Sequence, residues 1–230
     1  MNLLVGCPTA RRGWILPRWA EHIDKAAADA GLTPRFIVLA DPGDDAWHAL
    51  KRYDDRLTRI VVTEPRHDGL RDWCTPGRLA HIIDLRNQLL TAVRAQAPDV
   101  FLSVDSDMLL HPATITNLLE TLADFDAVGG YAYMNDGHAC PSWGRILSGG
   151  ALDRVDMPGY VGPVEVIMAI KAMTPAAYAH DYTAHPKGED VGICLAWRDA
   201  GVRVGLDARV TSKHVMRRDL LDLVDERCGF

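Results

Sequence analysis

The chain has 230 residues, 48% hydrophobic and 24% charged, with a formal net charge of −6. That composition excludes disordered, collagen-like and low-complexity chains, and no stretch approaches the roughly 18 uncharged apolar residues of a membrane helix. The acidic balance argues against a long basic nucleic-acid platform while leaving room for a local basic patch.

In chain order, Leu3–Gly6 reads as a first strand and Pro17–Ala30 as a helix closed by Gly31. Arg35–Asp41 is a second strand and Leu57–Thr63 a third. Gly77–Ala97 is a long amphipathic helix, and Asp99–Asp107 a fourth strand. Pro112–Ala123 is a helix with Ile115, Leu118, Leu119 and Leu122 on one face. Ala127–Met134 and Val164–Ala172 read as strands, and Glu189–Ala200 as a helix capped by Gly201. Val202–Asp207 and Val210–Val215 end the sheet, and Asp219–Arg227 forms a tail helix. Strand–helix alternation in the first half implies an α/β fold with parallel strands and helices on both faces. The loop-rich second half implies mixed pairing. With no internal repeat and no Pro, Gly or Ser-rich linker, one domain is expected over residues 1–230.

Five cysteines, Cys7, Cys74, Cys140, Cys194 and Cys228, lie far apart with no CxxC pair. Neither a zinc site nor a disulfide framework is expected. The opening MNLLVGCPTARRGW has no basic stretch ahead of its few apolar residues, so no signal peptide is expected. A reducing cytoplasm is the natural setting.

The sharpest local signal is Asp105-Ser106-Asp107, closing the apolar run Val100–Val104. Ligands of open α/β sheets bind outside the carboxyl ends of the strands. A kink there lets both carboxylates approach one hard cation, Mg²⁺ or Mn²⁺, which commonly shares its coordination with substrate phosphates. The alternative is two solvated aspartates in a turn. On the Gly77–Ala97 helix the apolar stripe is Leu79, Ile82, Ile83, Leu90, Val93 and Ala97. At roughly 100° per residue Arg86 falls inside it. A buried guanidinium needs an anion: an internal carboxylate such as Asp105 or Asp41, or a diphosphate. Gly188-Glu189-Asp190 opens a helix, where acids are favoured by capping and dipole alone. There one of them can also serve as a general base facing the crevice. His214, in a late strand, reads as an ordinary core residue or as a metal ligand.

The longest irregular stretch, Asn135–Gly162, has the length of a binding loop. Its Trp143 and Tyr160 read either as loop anchors or as an apolar platform for an acceptor. The stretch GCPTARRG after the first strand has neither G-x-G-x-x-G nor G-x-x-x-x-G-K-[ST] spacing, and no G-x-S-x-G pentapeptide occurs. Dehydrogenase, P-loop and α/β-hydrolase readings therefore lack support.

Taken in order, these residues resemble the GT-A-fold glycosyltransferases, especially the family-2-like group. The resemblance spans roughly the whole chain. It implies a Rossmann-like α/β domain with a nucleotide-binding half, 1–110, and an acceptor-binding half, 111–230. It implies that the loop Val5–Thr9, including Pro8 and Thr9, contacts the nucleotide, and that Asp41 after the second strand meets the base. Arg86-Asn87 matches the Arg-Asn pair of the helix before the D-x-D strand. Asp105, Ser106 and Asp107 match the D-x-D itself, whose implied work is donor binding by Arg86, Asp105 and Ser106. The implied metal ligands are Asp105, Asp107 and His214. Glu189-Asp190 matches the Glu-Asp pair whose second acid is the base of inverting enzymes, which leaves Glu189 and Trp143 to the acceptor. The implied reaction is sugar transfer from a nucleoside-diphosphate sugar, UDP- or GDP-linked, to an acceptor hydroxyl, with Mn²⁺ or Mg²⁺ as cofactor. The acceptor class stays open between glycan, lipid-linked sugar, protein and modified nucleic acid. The Gln-x-x-Arg-Trp signature of processive synthases is missing, although Trp197-Arg198 occurs in another context. Two competing readings are a nucleotidyltransferase acting on a sugar phosphate and a catalytically weak nucleotide-sugar-binding protein.

Overall fold

The computed structural model describes residues 1–62, 76–134, 143–146, 152–153 and 156–222. The first half is laid down as β1 (Leu3–Pro8), α1 (Leu16–Asp29), β2 (Arg35–Ala40), the short α2 (Asp45–Ala49), β3 (Leu57–Val61), α3 (Pro76–Gln96) and β4 (Val100–Val104). These four strands are parallel, in the order β3-β2-β1-β4. The chain winds outward from β1 to β3 and then returns to the other side of β1. The switch point lies between β1 and β4, where the ligand crevice of such a sheet forms.

The second half adds β5 (Met108–Leu109), α4 (Thr114–Thr121), β6 (Ala127–Met134), β7 (Trp143–Ile146), β8 (Leu152–Asp153), β9 (Val161–Pro163), β10 (Val166–Ile167), β11 (Ile170–Met173), α5 (Pro175–Tyr178), α6 (Glu189–Asp199) and β12 (Val204–His214). The sheet continues as β4-β11-β6-β12-β5. β11 runs antiparallel to both of its neighbours, β6 and β12 are parallel, and β12 takes β5 and β9 antiparallel. β7, β8 and β10 form a small separate antiparallel patch.

Side chains alternate between two apolar layers, as the two-residue period of a strand requires. Leu3, Val5, Phe36, Val38, Leu102 and Val104 pack with Trp19 and Ile23 of α1 and Ile115 and Leu118 of α4. Leu4, Ile37 and Phe101 face the other way, against Leu89, Leu90 and Val93 of α3 and Ile193 and Trp197 of α6. The expected helices on both faces are thus present. α6 stops where expected: Gly201, at φ +76°, donates to Arg198 O while Val202 N reaches back to Trp197 O at 2.9 Å. This is a Schellman closure, which needs a left-handed residue at that point.

Several expected elements differ. Val164–Ala172 is not one strand. Ala169 takes φ +55°, which breaks the run into β10 and β11 and sends the two pieces to different sheets. Conversely, Val202–Asp207 and Val210–Val215 are one strand, β12, with a bulge between Asp207 and Thr211. The stretch 135–162, expected as irregular, contains β7 and β8 and runs into β9. The expected tail helix Asp219–Arg227 is a single 3₁₀ turn, Arg218–Leu220, as far as the described residues go. Thr63, the last residue of the expected third strand, lies outside them. No described helix is long and apolar enough to cross a membrane.

Candidate active site

The strand-end carboxylates stand at the switch point. Ser103 pairs with Gly6 across β4 and β1, so Asp105 lies just past the end of β4 beside the end of β1. It shares a strand face with Phe101 and Ser103, the face covered by α3. Arg86 of α3 meets it there: Nη2 donates to Asp105 Oδ1 at 2.8 Å. Nε of the same fork lies 3.4 Å from Glu189 Oε1 at the start of α6. Arg86 is 7% exposed, inside the stripe where the helical period puts it. Its internal partner is Asp105. Asp41 lies elsewhere, exposed after β2, with Oδ1 accepting from Gly43 N at 2.7 Å. Burial disfavours the Arg86 cation, but Asp105, Tyr182, Asp190 and Glu189 together outweigh burial and hold the guanidinium firmly protonated.

A second ion pair lies alongside. Lys171, in the middle of β11, donates from Nζ to Asp190 Oδ1 at 2.6 Å. Both cations lie near the ring of Tyr182, whose centroid is 5.4 Å from the Arg86 guanidinium and 5.7 Å from Nζ. Tyr182 is held by Asn87, which accepts from its N–H at 2.7 Å and donates to its carbonyl at 3.1 Å. The next residues press so close to α6 that a Cβ on Gly192 would stand 1.9 Å from Thr183 O. Glu189 is half-buried at the helix start. Burial, and then the neighbouring Asp190, push its carboxyl above the usual range, while Arg86 pulls the other way.

The turn Asp105-Ser106-Asp107 is closed by Met108 N donating to Asp105 O at 3.0 Å. It sends the two acids apart, because the turn breaks the two-residue period that would keep positions i and i+2 of a strand on one face. Asp107 meets His214 through the β5–β12 ladder: Val215 N donates to Asp107 O at 2.7 Å, and His214 Nε2 stands 3.2 Å from Asp107 Oδ1. Arg12 Nη2 donates to Asp107 Oδ2 at 2.8 Å. Burial raises the Asp107 carboxyl, but the bond to His214 and the nearby charges of His214 and Arg12 bring it below its ordinary value. His214 is pulled down by burial and raised more by Asp107, so it protonates more readily than a free imidazole.

Of the expected metal ligands, Asp107 and His214 come together and Asp105 does not join them. Among the described residues no group of three His, Cys, Asp or Glu side chains is placed to hold an ion. Thr9 extends the β1–β2 pairing through its N–H to Leu39 O at 2.9 Å. It is 6% exposed, and among the described residues its Oγ1 has no hydrogen-bond partner. Pro8 ends β1 beside it, and Ser106 is half-buried in the turn. Of the two readings of Trp143, loop anchor and acceptor platform, its surroundings resemble the first. It is buried in a cluster with Tyr131, Leu206 and Ala208, and its ring stacks on Tyr160 at 6.3 Å. Glu189, expected at the acceptor, is engaged with Arg86. Most of the loop around Trp143 lies outside the described residues.

Sequence reasoning missed Lys171, Tyr182 and Arg12. Lys171 had a signal: it is the lone charge in the run Val166–Met173. Arg12 and Tyr182 sit in irregular segments with no period to mark them. A separate open groove of about 450 Å³, lined by Glu120, Phe125, Val161 and Arg209 among others, lies away from these carboxylates. Its Arg209 is already held by Asp207 and Glu120.

No family model matches the sequence, and no curated protein matches it. Solved structures do match the fold. S. aureus TarS 1–349 in complex with UDP-GlcNAc superposes with TM-score 0.62 at 13% identity, covering 100% of this chain and 61% of that one. Glucosyl-3-phosphoglycerate synthase from Mycobacterium tuberculosis, in complex with Mn²⁺, UDP and phosphoglyceric acid, gives 0.56 at 15%, covering 94% and 71%. The inositol-1-phosphate CTP transferase from T. maritima gives 0.54 at 13%, covering 98% and 93%. The chain thus spans about three fifths of the TarS 1–349 chains it matches and 37% of the longer TarS chain. At these identities the likeness speaks for architecture: the chain has the GT-A fold, the Rossmann-like α/β arrangement shared with TarS and the phosphoglycerate synthase.

Proposed function

We propose that the chain is a divalent-cation-dependent, inverting glycosyltransferase, taking a sugar from a UDP- or GDP-sugar to an acceptor hydroxyl. Residues 1–110 hold the nucleotide and 111–230 the acceptor. The observation that carries this reading is the junction at Arg86. One guanidinium ties Asp105, the first D-x-D carboxylate, to Glu189 at the start of α6. Asp105 and the start of α6 that carries Glu189 and Asp190 therefore stand together at the switch point, although far apart in sequence.

The donor set suits a cation shared with phosphates. Asp107 offers an oxygen and His214 a nitrogen, 3.2 Å apart. An O/N pair with substrate oxygens completing the shell is acceptable to Mn²⁺ and suits the oxygen-seeking Mg²⁺ less well. Asp107 and His214 would hold the ion, and a bound ion supplies Lewis-acid stabilisation of the departing diphosphate. Arg12, now on Asp107, adds a fork suited to a phosphate oxygen. Thr9 Oγ1 gives the nucleotide a ready hydrogen bond, because a buried hydroxyl without a partner is costly. Asp41 meets the base, and Asp105 and Ser106 the ribose and phosphates. Asp190 takes the acceptor proton, a role worth about 10²–10⁴-fold in rate.

The likeness to the CTP transferase, over 93% of that chain, keeps a nucleotidyltransferase as second reading. The two reactions release different products. The test is to incubate the protein with Mn²⁺ and a panel of UDP- and GDP-sugars, and separately with nucleoside triphosphates and sugar phosphates. Release of nucleoside diphosphate from the first panel is the expected result. Pyrophosphate release from the second overturns it.

A further inference from the structure

The middle of β11 carries a charge where the rest of the strand is apolar. Lys171 is 0% exposed, and its strand is covered on both edges, with Ser103 of β4 and Gly129 of β6 opposite it. Lysine is almost never buried to this degree unless paired, and an unpaired ammonium is among the costlier groups to enclose. Its partner is Asp190, at 2.6 Å. Burial pulls the ammonium down, and Asp190 together with Tyr182 and Asp105 more than offsets this, so Lys171 keeps its proton. Such a pair adds little to folding, because a packed apolar residue of similar volume does as well or better. What the pair does achieve is geometric: it fixes one of the two oxygens of a half-buried carboxylate at the mouth of the crevice.

Resting on the reading of Asp190 as the base, we propose that Lys171 is a positioning residue that anchors Asp190 through Oδ1 and leaves Oδ2 to take the acceptor's proton. The step then balances. The acceptor O–H proton passes to Oδ2. The oxygen pair so freed forms the bond to the anomeric carbon, and the electrons of the breaking C–O bond leave with the diphosphate. Lys171 gives up no proton; it keeps the carboxylate in place while the charge on Asp190 is lost. The groups around that carboxylate come from three elements and the segment before α6. Lys171 reaches it from β11, Arg86 from α3, Glu189 from α6 itself, and Tyr182 from the preceding segment. Two cations therefore offset two adjacent acids, with the Tyr182 ring between them and the core.

The experiment uses the full chain, wild type and the variants Lys171→Met, Lys171→Gln and Asp190→Asn. Lysine-selective ¹⁵N NMR of the wild type reads the anchor without any substrate. A slowly exchanging ammonium signal, lost in Lys171→Met and moved in Asp190→Asn, is expected; its absence overturns the proposal. With the nucleotide sugar that the wild type turns over, and at a temperature where both proteins are fully folded, since removing one partner of a buried pair lowers stability, Lys171→Met should keep donor KM. It should lose about 10²-fold in kcat, the scale of a misplaced catalytic group. Lys171→Gln, which keeps an N–H donor one bond shorter, should recover part of that loss. Unchanged kcat in Lys171→Met, or loss of activity only in step with loss of folded protein, makes Lys171 structural and overturns the proposal while leaving Asp190 as the base. Normal transfer by Asp190→Asn removes the base reading and this role together, and so does turnover of no nucleotide sugar by the wild type.

Discussion

Arg86 and Asp105 are held 2.8 Å apart by a helix and a strand that are distant in sequence, and the guanidinium is almost wholly enclosed. The pair links the packing of α3 to the chemistry of the D-x-D turn. Among the described residues Asp105 has no other side-chain hydrogen bond, so its orientation depends on Arg86.

Arg86→Leu should therefore weaken nucleotide binding by about tenfold or more, roughly 1.4 kcal/mol or above. Calorimetric titration with UDP and Mn²⁺ checks this. Breaking a buried pair typically costs about 3–5 kcal/mol. Here Asp105 and Glu189 keep some access to water, so the loss in chemical denaturation should fall below that range. A loss of that full size with normal UDP affinity would mark Arg86 as purely structural.

Asp107→Ala and His214→Ala address the cation. Each removes one of the two donors that meet at 3.2 Å, and each should abolish the Mn²⁺-dependent part of UDP binding. The metal-independent part should remain, since Thr9, Arg86 and Asp105 are untouched. Titrations with and without Mn²⁺ measure the difference. Metal enhancement that survives in both variants would place the ion elsewhere.

The parts legible in the sequence were those with a local period. The buried strands Leu3–Pro8, Arg35–Ala40 and Val100–Val104 announced themselves as apolar runs, and Arg86 as a charge inside a helical stripe. Partners across the fold were less legible. β2 and β4 both flank β1, so whether Arg86 met Asp41 or Asp105 depends on how α3 crosses the sheet, and no local pattern encodes that. The break at Ala169 was hidden because alanine gives no warning of a left-handed conformation. Lys171 was passed over because a single lysine beside a loop-rich region reads as solvated. It is enclosed because β11 is inserted between β4 and β6, a long-range pairing. Trp143, from its place in a long loop, read equally as a loop anchor or as an acceptor platform. Its ring completes the small core beside β12.

The raised carboxyl of Glu189 yields a pH signature. Burial and Asp190 raise its folded-state value above the unfolded one, so across that window the folded protein binds more protons than the unfolded chain. Stability then falls as pH rises from the ordinary glutamate range through the raised value, by linkage. Glu189→Gln removes this contribution. The variant should match the wild type in acid and gain relative to it as the pH approaches neutrality. Taking the difference between the two curves cancels the other titrating groups. Urea denaturation at a series of pH values checks this, and a difference that shrinks with rising pH would contradict it. In turnover Glu189→Gln should be the milder of the two acid variants, weakening acceptor affinity or loosening Arg86.

Asp190→Asn bears on the chemistry itself. Glu189 and Asp190 are consecutive residues in the first turn of α6, so they point about 100° apart, and their partners differ accordingly: Arg86 for the first, Lys171 for the second. Asparagine is nearly isosteric, and its carbonyl oxygen can still accept from Lys171, so the local geometry should persist. Its amide has no capacity to take a proton. The substitution does leave the buried ammonium without a counter-charge, which should lower stability by up to about 3–5 kcal/mol; kinetics are therefore compared at a temperature where both proteins are fully folded. Nucleotide and Mn²⁺ affinity should be retained, because Asp107, His214 and Thr9 are unchanged. Transfer should fall by about 10²–10⁴-fold, the usual worth of a general base. In-line attack by an acceptor activated in this way inverts the anomeric centre, so NMR of the wild-type product should show the opposite configuration from the donor. A near-normal rate in Asp190→Asn, or a product with retained configuration, would remove Asp190 from the role of base.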